Sequence, residues 1–164
     1  PVVLSGAQLF ALREPDAISF GLAVHKVFEQ IEWAGKEALA KLESLREKMP
    51  AEAVDEVEQC LVDEAMAKRL AKPNSDVELW RERPFDVVLG DELISGVFDR
   101  VQLFAVRGEI IDFKTEKAGE DAADRHRPQL QLYRSALAKL TGLEESAISS
   151  QLLFTHTRSL LDAG

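Results

Sequence analysis

The spacing of hydrophobic positions divides the chain into a helical first part and a strand-rich second part. Near the start, apolar residues recur at intervals of four, three and four: Phe20, Val24, Val27 and Ile31. This period predicts a helix over about residues 16–48, and Pro50 interrupts it. The same period predicts a second helix from Ala51 to about Ala71. Residues 1–15 carry no strong pattern.

From Asp76 the period changes to alternation, which is typical of β-strands. Apolar side chains then occupy alternate positions: Val77, Leu79, Phe85, Val87 and Leu89. Gly90-Asp91 predicts a turn at the end of this strand. A second strand is predicted from Leu93 to about Phe104 and a third from Glu109 to Thr115, with a turn at Arg107-Gly108 between them.

The polar stretch from Glu116 to Arg125 predicts an exposed loop, and the helical period returns from His126 to Leu140, with Pro128 in the first turn. Gly142 ends that helix, and Gln151 to Thr157 predicts a last strand. The three consecutive strands should be antiparallel, and the crossover helix should return the last strand to the same sheet. The predicted fold class is therefore α/β, or mixed α+β, in α-β-β-β-α-β order behind an N-terminal helical elaboration.

Length and composition favour one domain with an ordinary hydrophobic core. Of the 164 residues, 46% are hydrophobic and 30% are charged. We expect N-terminal helices at 16–72 and a core at 76–157, within a single domain of residues 1–164. Because the chain begins at Pro1, we expect it to be a piece of a longer protein. No apolar run reaches the length of a membrane span, so we expect no membrane partner.

The net charge of −9 argues against a protein that binds nucleic acid through bulk electrostatic attraction. It does not exclude an acidic site filled by cations, because bound cations neutralise carboxylates locally. Cys60 is the single cysteine, so the chain cannot supply a four-cysteine zinc or iron–sulfur site. A reducing, cytoplasmic setting fits this cysteine usage.

The candidate chemistry centres on Asp112, Phe113 and Lys114 in the third predicted strand. Residues two apart on a strand project from the same face, so Asp112 and Lys114 should stand side by side while Phe113 points into the core. In isolation such a pair is most simply an edge-strand ion pair. A lone His25 beside an apolar stripe is, in the same way, more often a packed core histidine, and a lone Asp99 a surface residue.

Four short motifs change that balance because they occur together. They are Gly21-x-x-x-His25 on the first helix, Gly96-Val97-Phe98-Asp99-Arg100 on the second strand, Ile111-Asp112-Phe113-Lys114-Thr115 on the third strand, and Gln129-x-x-x-Tyr133 on the crossover helix. In this order and on these elements, they resemble the RecB/AddA-type nuclease domain of the PD-(D/E)xK superfamily. The resemblance spans about Phe20 to Thr157 and implies a restriction-endonuclease-like core.

The resemblance implies a set of metal ligands. Asp99 and Asp112 would bind a divalent metal together with the backbone carbonyl of Phe113, and His25 would be a further ligand or would orient a bound water. Oxygen ligands suit Mg²⁺, whereas the histidine makes Mn²⁺ a second option. The metal would make a bound water more acidic and offset charge on the pentavalent phosphate.

The resemblance also implies roles outside the metal ligands. Lys114 would position or activate the attacking water, and Gln129 and Tyr133 would hold the substrate backbone or brace Lys114. Arg100 would be a structural ion-pair partner. Glu82 resembles an acidic position ahead of the second motif, but we leave it outside the predicted site. Two other histidines belong to no motif and are predicted to be structural or exposed: His126 and His156.

The geometry that would join the two aspartates is left open by the sequence. A tight turn at Arg107-Gly108 would place Asp99 opposite Glu116 and not opposite Asp112. A wider turn, a bulge or diverging strands would be needed to bring the aspartates together.

The predicted function is a metal-dependent DNA nuclease that hydrolyses phosphodiester bonds, with exonuclease action favoured. By the resemblance, it would degrade single-stranded or unwound DNA delivered by a helicase, in the same chain or in a separate partner protein, during double-strand-break repair. Such delivery would explain the acidic charge. One alternative is a stand-alone exonuclease or a CRISPR-associated nuclease without an iron–sulfur cluster. Another is a non-catalytic DNA-binding or scaffold module.

Overall fold

A computed structural model describes residues 15–119 and 121–164. The described residues form five α-helices: α1 (Pro15–Glu29), α2 (Lys36–Leu45), α3 (Ala51–Val62), α4 (Glu64–Leu70) and α5 (Ala122–Thr141). They also form five strands: β1 (Glu78–Leu89), β2 (Glu92–Leu103), β3 (Gly108–Lys114), β4 (Ile148–Phe154) and β5 (Ser159–Asp162). Residues 1–14, where the sequence predicts no element, lie outside the described residues.

The strands form one mixed sheet in the order β1-β2-β3-β4-β5. β1, β2 and β3 are an antiparallel meander, β4 runs parallel to β3, and β5 is antiparallel to β4. A parallel pair requires a crossover connection, and α5 supplies it. The predicted α-β-β-β-α-β order behind N-terminal helices is therefore confirmed. β5 is an additional strand, which is too short to show a period in the sequence.

The sheet separates two hydrophobic layers. On one side, here called the α1–α4 face, the four N-terminal helices pack against Ile111 and Phe113 of β3. The other side, the α5 face, includes Ile110 of the same strand. The ring of Phe28 in α1 stacks on Phe113 at a centroid distance of 4.0 Å. Successive residues of β3 thus serve opposite layers, as expected for a strand that is buried on both faces.

The two predicted N-terminal helices are four in the structure. The first ends at Glu29, and Gly35, with φ of 137°, precedes α2. The second is broken at Asp63, whose extended backbone ends α3 and whose side chain accepts the N–H of Met66 at 3.1 Å to begin α4. Both breaks use residues that leave the helical conformation readily, which hydrophobic spacing does not detect.

The crossover helix begins at Ala122 and not at His126, so Pro128 lies inside it and not in its first turn. The polar residues ahead of Pro128 carry no hydrophobic period, which is why the prediction starts late. Its end is predicted correctly: Gly142 adopts φ of 79°, and its N–H donates to the carbonyl of Ala138 at 2.8 Å. Across residues 15–119 and 121–164, no helix has the length and apolarity that spanning a membrane requires.

The turn between β2 and β3 lies earlier than predicted. It spans residues 104–107, where the N–H of Phe104 donates to the carbonyl of Arg107 at 2.9 Å. Gly108 is instead the buried first residue of β3, and a Cβ there would lie 3.3 Å from the side chain of Leu103. Close packing explains this glycine better than turn geometry does. β4 is also earlier than predicted, because the chain turns after Phe154.

Candidate active site

Glu82, Asp99 and Asp112 occupy matching positions on three neighbouring strands. Regular pairs flank this row: Arg81–Arg100 and Arg83–Phe98 between β1 and β2, and Arg100–Ile111 between β2 and β3. One step beyond these pairs, Asp99 stands opposite Glu82 on one side and Asp112 on the other. The earlier turn between β2 and β3 therefore brings the two aspartates together, and Asp99 does not face Glu116.

The row coincides with a break in the regular alternation of β1 and β2. Glu82 has φ of 45°, in the left-handed region that residues other than glycine seldom adopt. On β2, Phe98 and Val101 both pack on the α5 face although they are three residues apart, whereas regular alternation permits only even intervals. Asp99, which lies between them, can therefore reach α1 on the opposite face.

His25 of α1 lies against two of these carboxylates. Its Nδ1 is 3.3 Å from Glu82 Oε1 and 3.3 Å from Asp99 Oδ1. The ligand atoms of the three residues lie within 4.8 Å of one another, and we call His25, Glu82 and Asp99 the cation cluster. Burial alone lowers the pKa of His25, but Asp99 and Glu82 together outweigh burial and raise it well above its usual value.

The donor set of the cation cluster fits a divalent metal. Carboxylate oxygens suit Mg²⁺ and Mn²⁺, and an imidazole nitrogen shifts the preference toward Mn²⁺. Glu82 Oε1 is buried and has no hydrogen bond among the described residues, so a cation would satisfy it. His25 Nε2–H donates to the carbonyl of Phe113 at 3.0 Å, which orients the ring and leaves Nδ1 toward the carboxylates.

Asp112 and Lys114 stand side by side on β3, as the strand period predicts. Ile111 and Phe113 pack on the α1–α4 face, so alternation directs Asp112 and Lys114 to the α5 face. Lys114 Nζ is 2.8 Å from Asp112 Oδ2, and the side chains are only 9% and 7% exposed. Removing one partner of such a buried pair typically costs about 3–5 kcal/mol.

The electrostatics of this pair reflect its burial. Burial raises the pKa of Asp112 to about 6 although the Lys114 ammonium opposes the shift. For Lys114, burial lowers the pKa, but the Asp112 carboxylate outweighs it and raises the pKa above its usual value. The ammonium therefore keeps its proton beside the carboxylate.

Gln129 and Tyr133 lie one turn apart on α5, which packs over the same face of the sheet. Tyr133 is buried, with its ring edge-on to Phe85 at a centroid distance of 5.2 Å. Burial raises its pKa to about 12, and the charge of Asp112 acts in the same direction. Gln129 Nε2 donates to the Tyr133 hydroxyl at 3.5 Å, a long contact. Gln129 Oε1 is buried without a hydrogen bond among the described residues.

Gly96 allows this close approach of α5 to the sheet. A Cβ at this position would lie 2.7 Å from the Tyr133 hydroxyl and 2.8 Å from the ring of Phe85. Atoms cannot remain that close, so the glycine of the second motif is explained by packing beneath Tyr133.

Asp99 connects the cation cluster with the Asp112–Lys114 pair. One carboxylate oxygen faces His25, and the other accepts the backbone N–H of Phe113 at 2.9 Å. Asp99 also adds to the raised pKa of Asp112, through its charge and a hydrogen bond between the two carboxyl groups. The two groups of residues therefore form one continuous site near the C-terminal end of β3.

Two residues outside the metal-ligand prediction have different surroundings from those expected. Glu82, left outside the predicted site, belongs to the cation cluster. Its position depends on the irregular backbone of β1, and the only signal in the sequence is an acidic residue ahead of the second motif. Arg100 is not an ion-pair partner in the described structure, since it donates to the backbone carbonyls of Ile31 and Glu32.

The two histidines outside the motifs are structural or exposed, as predicted. His126 Nε2 lies 2.6 Å from Glu116 Oε1 and so ties α5 to the segment that follows β3. His156 is exposed, with Nδ1 3.4 Å from Glu56 Oε1.

The mixed sheet and this acidic site define the class to which the chain belongs. The family model described as "PD-(D/E)XK nuclease superfamily" matches residues 5–161. The chain belongs to this superfamily and is a nuclease domain by family.

Curated relatives add a more specific similarity. An "ATP-dependent helicase/nuclease" polypeptide of the AddA type from Streptococcus pneumoniae (strain Hungary19A-6) is 28% identical over 138 residues, which cover 76% of this chain and 11% of the relative. "Exonuclease/helicase subunit RexA" of Streptococcus pneumoniae serotype 4 (strain ATCC BAA-334 / TIGR4) gives the same values. The resemblance to a RecB/AddA-type nuclease domain is confirmed, and the chain spans about a tenth of the length of these relatives.

Proposed function

We propose that the chain is a divalent-metal-dependent DNA nuclease that hydrolyses phosphodiester bonds. The observation that carries this proposal is the meeting of the cation cluster with the buried Asp112–Lys114 pair at one end of β3. Phosphodiester hydrolysis requires an activated water and positive groups that offset the charge developing on the phosphate. The two parts of the site supply the donors for the first and an ammonium for the second.

The cation cluster would hold the metal. We propose His25, Glu82 and Asp99 as ligands, with Asp112 and the carbonyl of Phe113, the ligands implied by the family, beside them. When bound, Mg²⁺ or Mn²⁺ would acidify a coordinated water and offset phosphate charge. Glu82 enlarges the predicted ligand set, because its buried Oε1 has no hydrogen bond among the described residues.

Lys114 would orient the attacking water and stabilise the charge that develops on the phosphate. Its position is set by Asp112, at 2.8 Å, so the ammonium is already oriented before substrate arrives. Gln129 would accept a hydrogen bond through its buried Oε1, which supports a role in holding substrate or water. Tyr133 would brace Gln129 through its hydroxyl.

We also propose that the domain is one part of a larger helicase–nuclease. This extends the similarity to relatives whose names describe helicase and nuclease polypeptides and of which the chain spans 11%. The helicase would deliver single-stranded or unwound DNA, which fits the net charge of −9. Exonuclease action, a role in double-strand-break repair and a cytoplasmic location belong to this proposal. Helicase motifs in the same gene, or in a partner gene, would support it, and their absence from both would contradict it.

The nuclease proposal is tested with end-labelled single-stranded DNA in the presence of Mg²⁺ or Mn²⁺, with EDTA as the metal-free control. Asp112→Ala and Lys114→Ala should each reduce the cleavage rate at least ~100-fold, because each removes a group that acts at the reacting phosphate. Asp91→Ala and Lys117→Ala are matched controls, since both residues are exposed and outside the site. Equal cutting by wild type and both site variants would contradict the proposed site.

A further inference from the structure

A surface depression next to α1 combines an aromatic ring with basic side chains. It has a volume of about 480 Å³ and lies where α1 ends and α2 begins. Its lining includes one aromatic and three basic residues: Trp33, Lys36, Lys41 and Lys72. Glu32 and Glu37 also contribute, so the lining is less acidic than the chain as a whole, whose net charge is −9. The volume lies within the roughly 300–1,000 Å³ typical of ligand sites.

The loop that carries Trp33 is held by a buried arginine. Arg100 is 1% exposed and donates to the carbonyls of Ile31, at 3.0 Å, and Glu32. Its guanidinium lies 5.2 Å from the centroid of the Trp33 ring. The N–H of Ala34 is bound by the last residue of α4 at 2.8 Å. The ring is thus held in place before any ligand binds, which lowers the entropic cost of binding.

The depression continues toward the cation cluster. A second depression, of about 450 Å³, shares part of this lining: Gln30, Glu32 and Lys41. The second depression adds Arg81, the residue before Glu82. Along the chain, Gln30 is five residues beyond His25, and five residues of helix rise about 7.5 Å. One short strand of nucleic acid can therefore reach both the depression and the proposed reaction site.

We propose that the depression formed by Trp33, Lys36, Lys41 and Lys72 binds single-stranded DNA, with a base stacked on Trp33 and phosphates beside the lysines. This inference rests on the proposed function and describes a substrate contact away from the reacting phosphate. Proteins that hold single strands without sequence preference combine aromatic stacking with basic side chains along the backbone. A base in a duplex is already paired and stacked, so the site selects unpaired DNA.

Binding of a fluorescently labelled oligothymidylate, with Ca²⁺ to prevent cleavage, tests the stacking contact. Trp33→Ala should weaken binding about 5–50-fold, and Trp33→Phe should retain most of the affinity. Trp80 is the matched control, because it packs on the α5 face under Arg83, and Trp80→Phe should bind as wild type. In the Trp80→Phe protein, DNA should quench the fluorescence of Trp33. Wild-type affinity in Trp33→Ala, or no quenching, would overturn the proposal.

The lysines are tested through salt dependence. Lys41→Ala and Lys72→Ala should each reduce the slope of log affinity against log salt by about 0.7, the contribution of one phosphate contact with a single strand. Lys139→Ala, which changes an exposed lysine of α5, should leave the slope unchanged. An unchanged slope in both depression variants would contradict a role for these lysines in phosphate binding.

Cleavage assays with the same proteins separate this inference from the proposed function. Trp33→Ala should raise KM more than it lowers kcat, whereas Asp112→Ala should abolish cleavage. If Asp112→Ala cleaves as wild type does, the proposed function fails. If Asp112→Ala is inactive while Trp33→Ala binds and cleaves as wild type does, only the proposed stacking site fails.

Discussion

The cation cluster and the Asp112–Lys114 pair meet at the same end of β3, but they are assembled in opposite ways. His25, Glu82 and Asp99 come from α1, β1 and β2, and they converge where two strands break their alternation. Asp112 and Lys114 are two residues apart on one regular strand, and strand alternation alone places them together. Irregular backbone positions the proposed metal ligands, and regular backbone positions the lysine.

The two parts also differ in charge balance. Glu82 and Asp99 place like charges around His25, whose raised pKa reflects the demand for a positive charge between them. In the buried pair, the ammonium and the carboxylate largely offset each other. The cation cluster should therefore respond strongly to metal, whereas the pair should act in catalysis with little influence on metal affinity. Four predictions test this separation.

The largest expected effect is that of Lys114→Ala on cleavage. We expect the rate to fall about 10²–10⁴-fold, because an oriented group beside the attacking water is lost. The affinity for Mn²⁺, measured by calorimetry, should change by no more than about threefold, since Lys114 is outside the cation cluster. An equally large loss of Mn²⁺ affinity would show that the two parts cannot be separated.

Metal should stabilise the folded chain through the cation cluster. At a Mn²⁺ concentration ~100 times the Kd, the free energy of unfolding should rise by about 2.7 kcal/mol. For a chain of this size, that increase corresponds to roughly 5–10 °C in Tm. Asp99→Asn should abolish the shift in a thermal melt, while Asp91→Asn, at an exposed turn, should keep it. The same shift in wild type and Asp99→Asn would place the metal elsewhere.

Glu82→Gln tests the residue that the sequence leaves outside the predicted site. We expect Mn²⁺ affinity to fall about 10–100-fold, because one anionic oxygen is lost from the cluster while the side-chain volume is kept. Saturating Mn²⁺ should restore much of the cleavage rate. Glu92→Gln, at an exposed position where β2 begins, is the control. Unchanged affinity in Glu82→Gln would remove this residue from the metal site.

The smallest effect expected is on packing beneath the lysine side of the site. Gly96→Ala should lower the free energy of unfolding by about 1 kcal/mol or more, because the new Cβ would lie 2.7 Å from the Tyr133 hydroxyl. Cleavage should fall more than Mn²⁺ affinity, since Tyr133 is on the α5 face. Adding Tyr133→Phe should recover part of the lost stability in chemical denaturation. A Gly96→Ala protein as stable as wild type would contradict this packing account.

The regular parts of the site could be predicted from the sequence because their geometry is local. The side-by-side placement of Asp112 and Lys114 needs only the two-residue period of a strand. The end of α5 at Gly142 needs only the left-handed conformation that glycine adopts readily. In both places, a few neighbouring residues determine the structure.

The irregular parts depend on tertiary packing, which hydrophobic spacing does not reveal. Glu82 enters the cation cluster through a positive φ that the surrounding sheet imposes. Asp99 meets Asp112 because the preceding turn lies at 104–107, whereas Gly108, which suggests a turn in the sequence, is required for packing against Leu103. The sequence thus identified the residue types of the site but not the register that joins them.

The most direct test of the account is the position of Mn²⁺ in a crystal of the chain, located by anomalous scattering. The account predicts a peak in contact with His25, Glu82 and Asp99, at the end of β3 where Lys114 lies. An Asp99→Asn crystal under the same conditions should lack that peak. If the wild-type crystal, at a Mn²⁺ concentration that saturates the protein in solution, shows its peak elsewhere or shows none, the cation cluster is not the metal site.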